Sequence, residues 1–215
     1  MRHEDFHFFD PWGEIDASRN HLPHWQQEGA RLYFVTWRLA DSIPQEKLDR
    51  HHEERNAWLR RHPKESWDGK VEAEYHRLFS AKIDRWLDAG SGSCVLREPE
   101  NAAILKSALL HFEGDRSAMV SFVIMPNHVH LLFVLRPGWR LEEVVHSWKS
   151  FSAKQINRRT GRGGVLWQKD YFDRLVRDSE HLGNCVRYIR TNPEKAGLRS
   201  RGFVLWESEI AKSIG

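Results

Sequence analysis

Two histidines one residue apart, His128 and His130, stand in the run Met125-Pro126-Asn127-His128-Val129-His130-Leu131-Leu132-Phe133. The run is apolar and rich in β-formers, the pattern of a strand. Side chains alternate faces along a strand, so both imidazoles must project the same way, about 7 Å apart along the chain, with Val129 and Leu131 on the other side. Two imidazoles on one face can hold a divalent cation while the opposite face packs a core. Such a cation can polarise a phosphate or ready a nucleophile. Alone the pair is a modest signal, because buried histidines satisfied by their neighbours are common.

A second constellation is Cys185-Val186-Arg187-Tyr188-Ile189-Arg190-Thr191-Asn192-Pro193. On a helix, Leu182, Val186 and Ile189 share a core face. Tyr188 lies well round from that stripe and can offer its hydroxyl to a cleft, with Asn192 one turn further on. A phenol, pKa ~10, is a poor nucleophile unless a metal or base assists it. An amide oxygen nearby could complete a metal site begun by two histidines. The plainer reading is a tyrosine at the core margin and an asparagine capping a helix before proline.

Charge gathers on one stretch. Lys149, Lys154, Arg158, Arg159, Arg162, Lys169, Arg174 and Arg177 face only Asp170 and Asp173, a local balance of +6 in a chain of net +3, so the rest carries −3. A concentrated positive field suggests a polyanion such as nucleic acid. On charge alone an ordinary solvated surface explains it as well. Trp148, Trp167, Tyr171 and Phe172 lie among these charges and could stack on unpaired bases, although apolar neighbours favour burial of Trp148 and Phe172.

The elements that would position these groups follow from periodicity. Arg31–Leu39 reads as a first strand. Residues 44–62 and 71–89 read as helices separated by a break at 63–69, and Cys94-Val95-Leu96 as a brief strand. A helix is expected over 99–112, a strand over 118–125, a turn at Pro126-Asn127 and a strand over 128–135. The next helix, 141–158, turns Leu141, Val144, Val145, Trp148, Phe151 and Ile156 inward. Thr160–Gly164 is a basic, glycine-rich loop, with a short strand near Phe172. The last long helix runs from an Asp178 or Ser179 cap to Asn192, where Pro193 stops it.

With 215 residues, 40% hydrophobic content and 10 tryptophans, the chain can form one domain with an elaboration. A charged fraction of 29% predicts solubility. No stretch approaches the ~20 apolar residues of a membrane span. The opening MRHEDFHFFDPWG has no secretory h-region, and Cys94 and Cys185 lack metal-site spacing, so a cytoplasmic protein with free thiols is expected.

Taken in order, YFVTWRL, VIMPNHVHLLF, Trp148-Lys149-Ser150-Phe151, LWQKDYFDRLVRD and VRYIRTNPEKAGL resemble the REP-associated tyrosine transposases. These are single-tyrosine members of the HUH (His-hydrophobic-His) superfamily. The resemblance runs from about Arg19 to Trp206, and the ordered set is specific where no one motif is. It implies an α+β, ferredoxin-like sandwich: a central antiparallel sheet flanked by helices, in a single domain with a core of about 19–206. The helical stretch 44–90, after the first strand, is an insertion relative to compact relatives. The resemblance further implies that His128 and His130 bind a metal, Mg²⁺ or Mn²⁺, with Asn192 as a third ligand. Tyr188, rather than Tyr171 beside Phe172, corresponds to the catalytic residue.

The implied chemistry is cleavage and rejoining of single-stranded or hairpin DNA, such as repetitive palindromes, through a 5′-phosphotyrosine intermediate. The basic residues would hold phosphates. The protein would act as a monomer or homodimer in the nucleoid, with activity falling in mild acid as imidazoles protonate near ~6.5. The rival readings are a host-adopted DNA-binding protein of the same fold, a replication-type nickase, and a phosphohydrolase in which Tyr188 is structural.

Overall fold

The computed structural model describes residues 6–19, 23–63, 69–198 and 201–215. A short hairpin, β1 (Asp16–Arg19) and β2 (Pro23–Gln26), precedes β3 (Arg31–Arg38). Then come α1 (Gln45–Arg61), α2 (Gly69–Tyr75), a π-helical turn at His76–Ser80 and α3 (Ala81–Asp88). The core continues through α4 (Pro99–Leu110), β4 (Ser117–Ile124), β5 (His128–Leu135), α5 (Leu141–Thr160), β6 (Phe172–Leu175) and α6 (Ser179–Lys195). It ends with β7 (Val204–Glu207) and α7 (Glu209–Ser213).

Five strands form one antiparallel sheet in the order β6-β3-β5-β4-β7. Both β3 and β4 run antiparallel to β5, which therefore lies between two mutually parallel strands joined through the helical connection that includes α4. This split β-α-β, repeated as β5-α5-β6, is the ferredoxin-like plan the resemblance implied, with β7 added at one edge. The helical insertion after the first strand is also present, as α1 to α3. The break between its helices falls largely on residues 64–68, outside the described residues.

Strand alternation divides the molecule into two layers. Tyr33, Val35, Trp37, Val129, Leu131 and Phe133 face α4 and α5, where Trp148 stacks on Trp37 and stands edge-on to Phe133 at 5.0 Å. Leu32, Leu132 and Val134 face α6, meeting Leu182, Val186 and Ile189. His128 and His130 share this second face, as the period of two requires. The insertion has a core of its own in Ile43, Leu48 and Leu87, with Ile83 and Trp86 against it.

Several local expectations fail for identifiable reasons. Cys94–Leu96 is not a strand: Cys94 is left-handed (φ 49°), Val95–Arg97 is a single 3₁₀ turn, and the edge of β4 is already taken by β7. Phe151 is half exposed, because Ser152 occupies the inner line of α5, where its hydroxyl receives the Trp167 indole N–H at 3.0 Å. Pro193 does not stop α6. It sits in the last turn, where only one backbone bond is forfeited, and the chain turns away at Gly197 (φ 71°). Phe172 is only partly buried and lies under the Arg174 guanidinium. The hairpin, β7 and α7 were not expected at all.

Candidate active site

The two imidazoles are almost wholly buried, each 1% exposed, and each has its Nδ1 engaged. His128 Nδ1 lies 2.8 Å from Asn127 Oδ1, and His130 Nδ1 lies 2.7 Å from Thr36 Oγ1 on the neighbouring strand. Asn127 Nδ2 donates to the carbonyls of Leu87 and Ser91, both at 3.1 Å, which fixes the amide with its oxygen toward His128. His128 therefore carries its proton on Nδ1 and presents an Nε2 lone pair. Thr36 can order His130 in the same sense.

Burial pushes the His128 imidazole down to about 3, despite the Asn192 amide facing it. Burial, then the neighbouring His128, holds His130 well below the usual histidine range. Both rings stay neutral through mild acid, so the loss of ligation near pH ~6.5 expected from ordinary histidines moves to lower pH. Neutral imidazole is also the form that binds metal.

Asn192 lies on α6 over this face, 1% exposed. His128 Nε2, His130 Nε2 and Asn192 Oδ1 are buried without a hydrogen-bond partner. Orphaned buried acceptors are costly unless something satisfies them. Two imidazole nitrogens and an amide oxygen suit a divalent cation of borderline or hard character. Among the described residues no group of three or more His, Cys, Asp or Glu side chains could hold a metal, so a cation here would depend on the amide.

Tyr188 stands on the same helix one turn before Asn192. Its ring is edge-on to His130, with centroids 5.0 Å apart, and to Phe34 at 5.8 Å. Burial, followed by the charges of Asp84 and Asp88 on α3, raises the pKa of its hydroxyl. Lys195 Nζ lies 5.3 Å from the ring centre. Tyr171 is on the opposite layer, among the α5 side chains, stacked on His24 at 4.1 Å. The structure thus brings His128, His130, Tyr188 and Asn192 together and leaves Tyr171 apart.

The basic residues do not share one surface. Lys149, Lys154, Arg158 and Arg159 belong to α5, and Arg162 to the loop after it, against the layer opposite the histidines. Lys149 Nζ donates to the carbonyls of Gln168 and Lys169 at 2.8 and 2.9 Å, and burial lowers its pKa to about 8. Arg159 pairs with Glu100 at 3.0 Å. Lys169 and Arg177 are exposed near the ends of the β6 segment.

Arg174 is the register partner of Phe34, on the histidine face, with Nη2 donating to His76 Nε2 at 3.0 Å. Sequence reasoning missed Arg38, which pairs with His128 across the ladder and so shares its face. Burial lowers the Arg38 pKa to about 10, leaving it charged at neutral pH. It also missed Thr36, and Asn127 as an orienting group.

A strand-borne His-x-His pair faces a helix-borne tyrosine on a ferredoxin-like sheet, the arrangement that the resemblance implied. Residues 101–192 match the family model described as Transposase IS200 like, a span that ends on Asn192 and includes both histidines and Tyr188. A putative REP-associated tyrosine transposase of Haemophilus influenzae is 28% identical over 88 residues, 36% of this chain and 50% of that protein. The REP-associated tyrosine transposase of Escherichia coli is 25% identical over 95 residues, 44% of this chain and 55% of that protein.

The resemblance read from the motifs is borne out by the family model and by both relatives. The chain spans about half the length of the curated relatives it matches. Among solved structures, a REP-associated tyrosine transposase bound to a REP hairpin covers 84% of this chain and 78% of its own, at 15% identity and a TM-score of 0.46. A putative transposase from Deinococcus radiodurans covers 76% of this chain and 91% of its own, at 17% identity and a TM-score of 0.36. Among the described residues no helix is long and apolar enough to cross a membrane.

Proposed function

We propose that this protein cleaves and rejoins single-stranded DNA, with Tyr188 as the nucleophile. The observation that carries this reading is the convergence on one sheet face of the Tyr188 ring with the orphaned Nε2 atoms of His128 and His130 and Oδ1 of Asn192. Those three atoms would hold Mg²⁺ or Mn²⁺. Such a cation, when bound, supplies Lewis-acid stabilisation of charge on a non-bridging phosphate oxygen.

The remaining work falls to the chain. Asn127 fixes the His128 tautomer and Thr36 engages His130 Nδ1, so both Nε2 atoms are the ones turned to the site. Phe34 and His130 hold the Tyr188 ring from two sides, which restricts the directions from which its hydroxyl can attack a phosphorus. Arg38 and Arg174 supply positive charge on the same face for the flanking phosphates. Attack gives a 5′-phosphotyrosine and a free 3′-OH. The tyrosyl ester keeps the phosphodiester energy, so another 3′-OH can displace Tyr188 and join a new strand without ATP.

Structured DNA, hairpins of repeated palindromes, is the substrate that the family resemblance implies, and both relatives are named as REP-associated. The exposed cations Lys154, Arg158, Arg162, Lys169 and Arg177 would contact the more distant backbone, without reading sequence. A cytoplasmic, nucleoid-associated monomer or homodimer fits this reading.

The test is incubation with 5′- and 3′-labelled hairpin oligonucleotides and Mg²⁺ or Mn²⁺. A covalent adduct present in the wild type and lost in Tyr188→Phe is expected. Tight binding without an adduct would indicate a DNA-binding protein that no longer transposes. Cleavage that persists in Tyr188→Phe would indicate attack by water.

A further inference from the structure

The rung of the sheet that carries His130 continues past Thr36. Thr36 pairs with His130 on one side and with Phe172 on the other, so a single rung runs from β5 through β3 to β6. The rung beside it joins Leu132, Phe34 and Arg174 in the same way. Residues paired across a ladder share a face, so Phe172 and Arg174 lie on the face of the two histidines. Two strand spacings, about 10 Å, separate the backbone of Phe172 from that of His130.

Phe172 is a large apolar side chain outside the sheet cores. It is partly exposed, and among the described residues it belongs to neither of the clusters that pack the two faces of the sheet. Its ring lies against the Arg174 guanidinium, whose carbon is 5.5 Å from the ring centre and so covers at most one of its two faces. His76 of the insertion receives Arg174 Nη2 at 3.0 Å, which anchors the guanidinium from the other side.

We propose that Phe172 and Arg174 form a nucleotide subsite beside the metal face. The phenyl ring stacks an unpaired base next to the cleavage point, and the guanidinium pairs with the phosphate of that nucleotide. The inference rests on the reading of this protein as one that acts on single-stranded DNA.

The chemistry of the pair fits that occupant. A nucleotide carries a flat π surface and a negative charge close together, and here an aromatic ring and a guanidinium are in contact. Every base has a π face, so such stacking holds a strand without reading its sequence. A guanidinium donates two parallel hydrogen bonds to a phosphate. Bases inside a duplex are already stacked on one another, so the subsite favours unpaired DNA.

The other rings of the basic segment are engaged elsewhere. Trp148 packs on Trp37 and Phe133, Trp167 donates to Ser152, and Tyr171 stacks on His24, all on the opposite layer. On the histidine face itself, Phe34 is occupied by Tyr188 and His130. Of these rings, Phe172 is the one at the outer strand of the histidine face.

The experiment measures binding of the full chain to hairpin oligonucleotides with unpaired flanks, in a Tyr188→Phe background so that no strand is cut. Each flanking nucleotide is replaced in turn by an abasic one, and in a second series by 5-iodouracil for photocrosslinking. At one flanking position, removing the base should weaken binding roughly 10-fold, the effect of one stacked base. Phe172→Leu should weaken binding of the intact strand by a similar factor and should have no further effect on the abasic strand. Phe172→Trp should bind as the parent does. 5-Iodouracil at the same position should crosslink to the peptide that carries Phe172. Phe151→Leu, which alters a half-exposed ring on the opposite layer, is the control and should bind like the parent.

Equal losses on intact and abasic strands in Phe172→Leu would mark a merely structural ring and overturn the proposal alone. A crosslink map that omits the Phe172 peptide would do the same. If no oligonucleotide binds, the DNA reading and this proposal fall together. A wild type that shows the stacked base and yet forms no adduct supports the subsite and overturns the cleavage reading.

Discussion

Thr36 Oγ1 lies 2.7 Å from His130 Nδ1, across a rung of the β3–β5 ladder that pairs these two residues. A strand neighbour thereby engages Nδ1 and leaves Nε2 as the ring nitrogen without a partner. Thr36→Val keeps the shape and removes the hydroxyl. Mn²⁺ affinity should fall on the order of 10-fold, the usual cost of losing an outer partner to a metal-bound histidine. Titration calorimetry checks it, and unchanged affinity would detach Thr36 from the metal site.

Binding to the folded state alone must stabilise it. A saturating Mn²⁺ concentration, about 100 times Kd, should add roughly 2.7 kcal/mol to unfolding. Asn192→Ala should lose most of that increment, since it removes one of the three orphaned acceptors. Thermal melts with and without the ion report it. A full increment in Asn192→Ala would take the amide out of the ligand set.

The two groups of cations should behave differently. Arg38→Gln and Arg174→Gln, on the histidine face, should lower the adduct rate at saturating DNA. Arg158→Gln and Arg162→Gln, on the far layer, should weaken binding with that rate intact. Each lost phosphate contact should reduce the salt slope for single strands by about 0.7. Filter binding across salt concentrations, paired with single-turnover rates, separates the sets.

His24 provides a pH dependence of stability unrelated to catalysis. Burial alone would lower its pKa, but hydrogen bonds to Asp170 and Asp173 overcome this and raise it from 6.5 to about 9. The protonated ring favours the folded state, so the contribution is complete below pH 6.5 and is lost as pH rises through about 9. Unfolding free energies from urea titrations should fall over that window by on the order of 2 kcal/mol, and His24→Gln should flatten the slope. An equal slope in the variant would remove His24 from the account.

Trp148 ties α5 to the sheet through Trp37 and Phe133. Trp148→Ala should cost about 3–5 kcal/mol in chemical denaturation. A cost below about 1 kcal/mol would mean that the layer closes over the gap, at odds with ordinary core packing.

Legibility in the sequence follows how much apolar pattern an element carries. The strand His128–Leu135 is readable to its ends because every residue of it is buried in a continuous run. β6, with the polar sequence FDRL, is only hinted at by Phe172. The hairpin and β7 are four residues each and depend on partners remote in sequence, so no local period reveals them. Tyr188 and Asn192 stand out because they share a helix and a motif with known relatives. Phe151 misled because hydrophobicity marks a stripe only approximately, and Trp167 chose Ser152 instead.

The Asn127 clasp on Leu87 and Ser91 has a bearing on protein engineering. Splicing out the extra helices would strip the Leu87 receptor from an amide whose other end steers His128. A shortened version of this scaffold would need a replacement anchor there before its histidine dyad could be trusted to hold its aim.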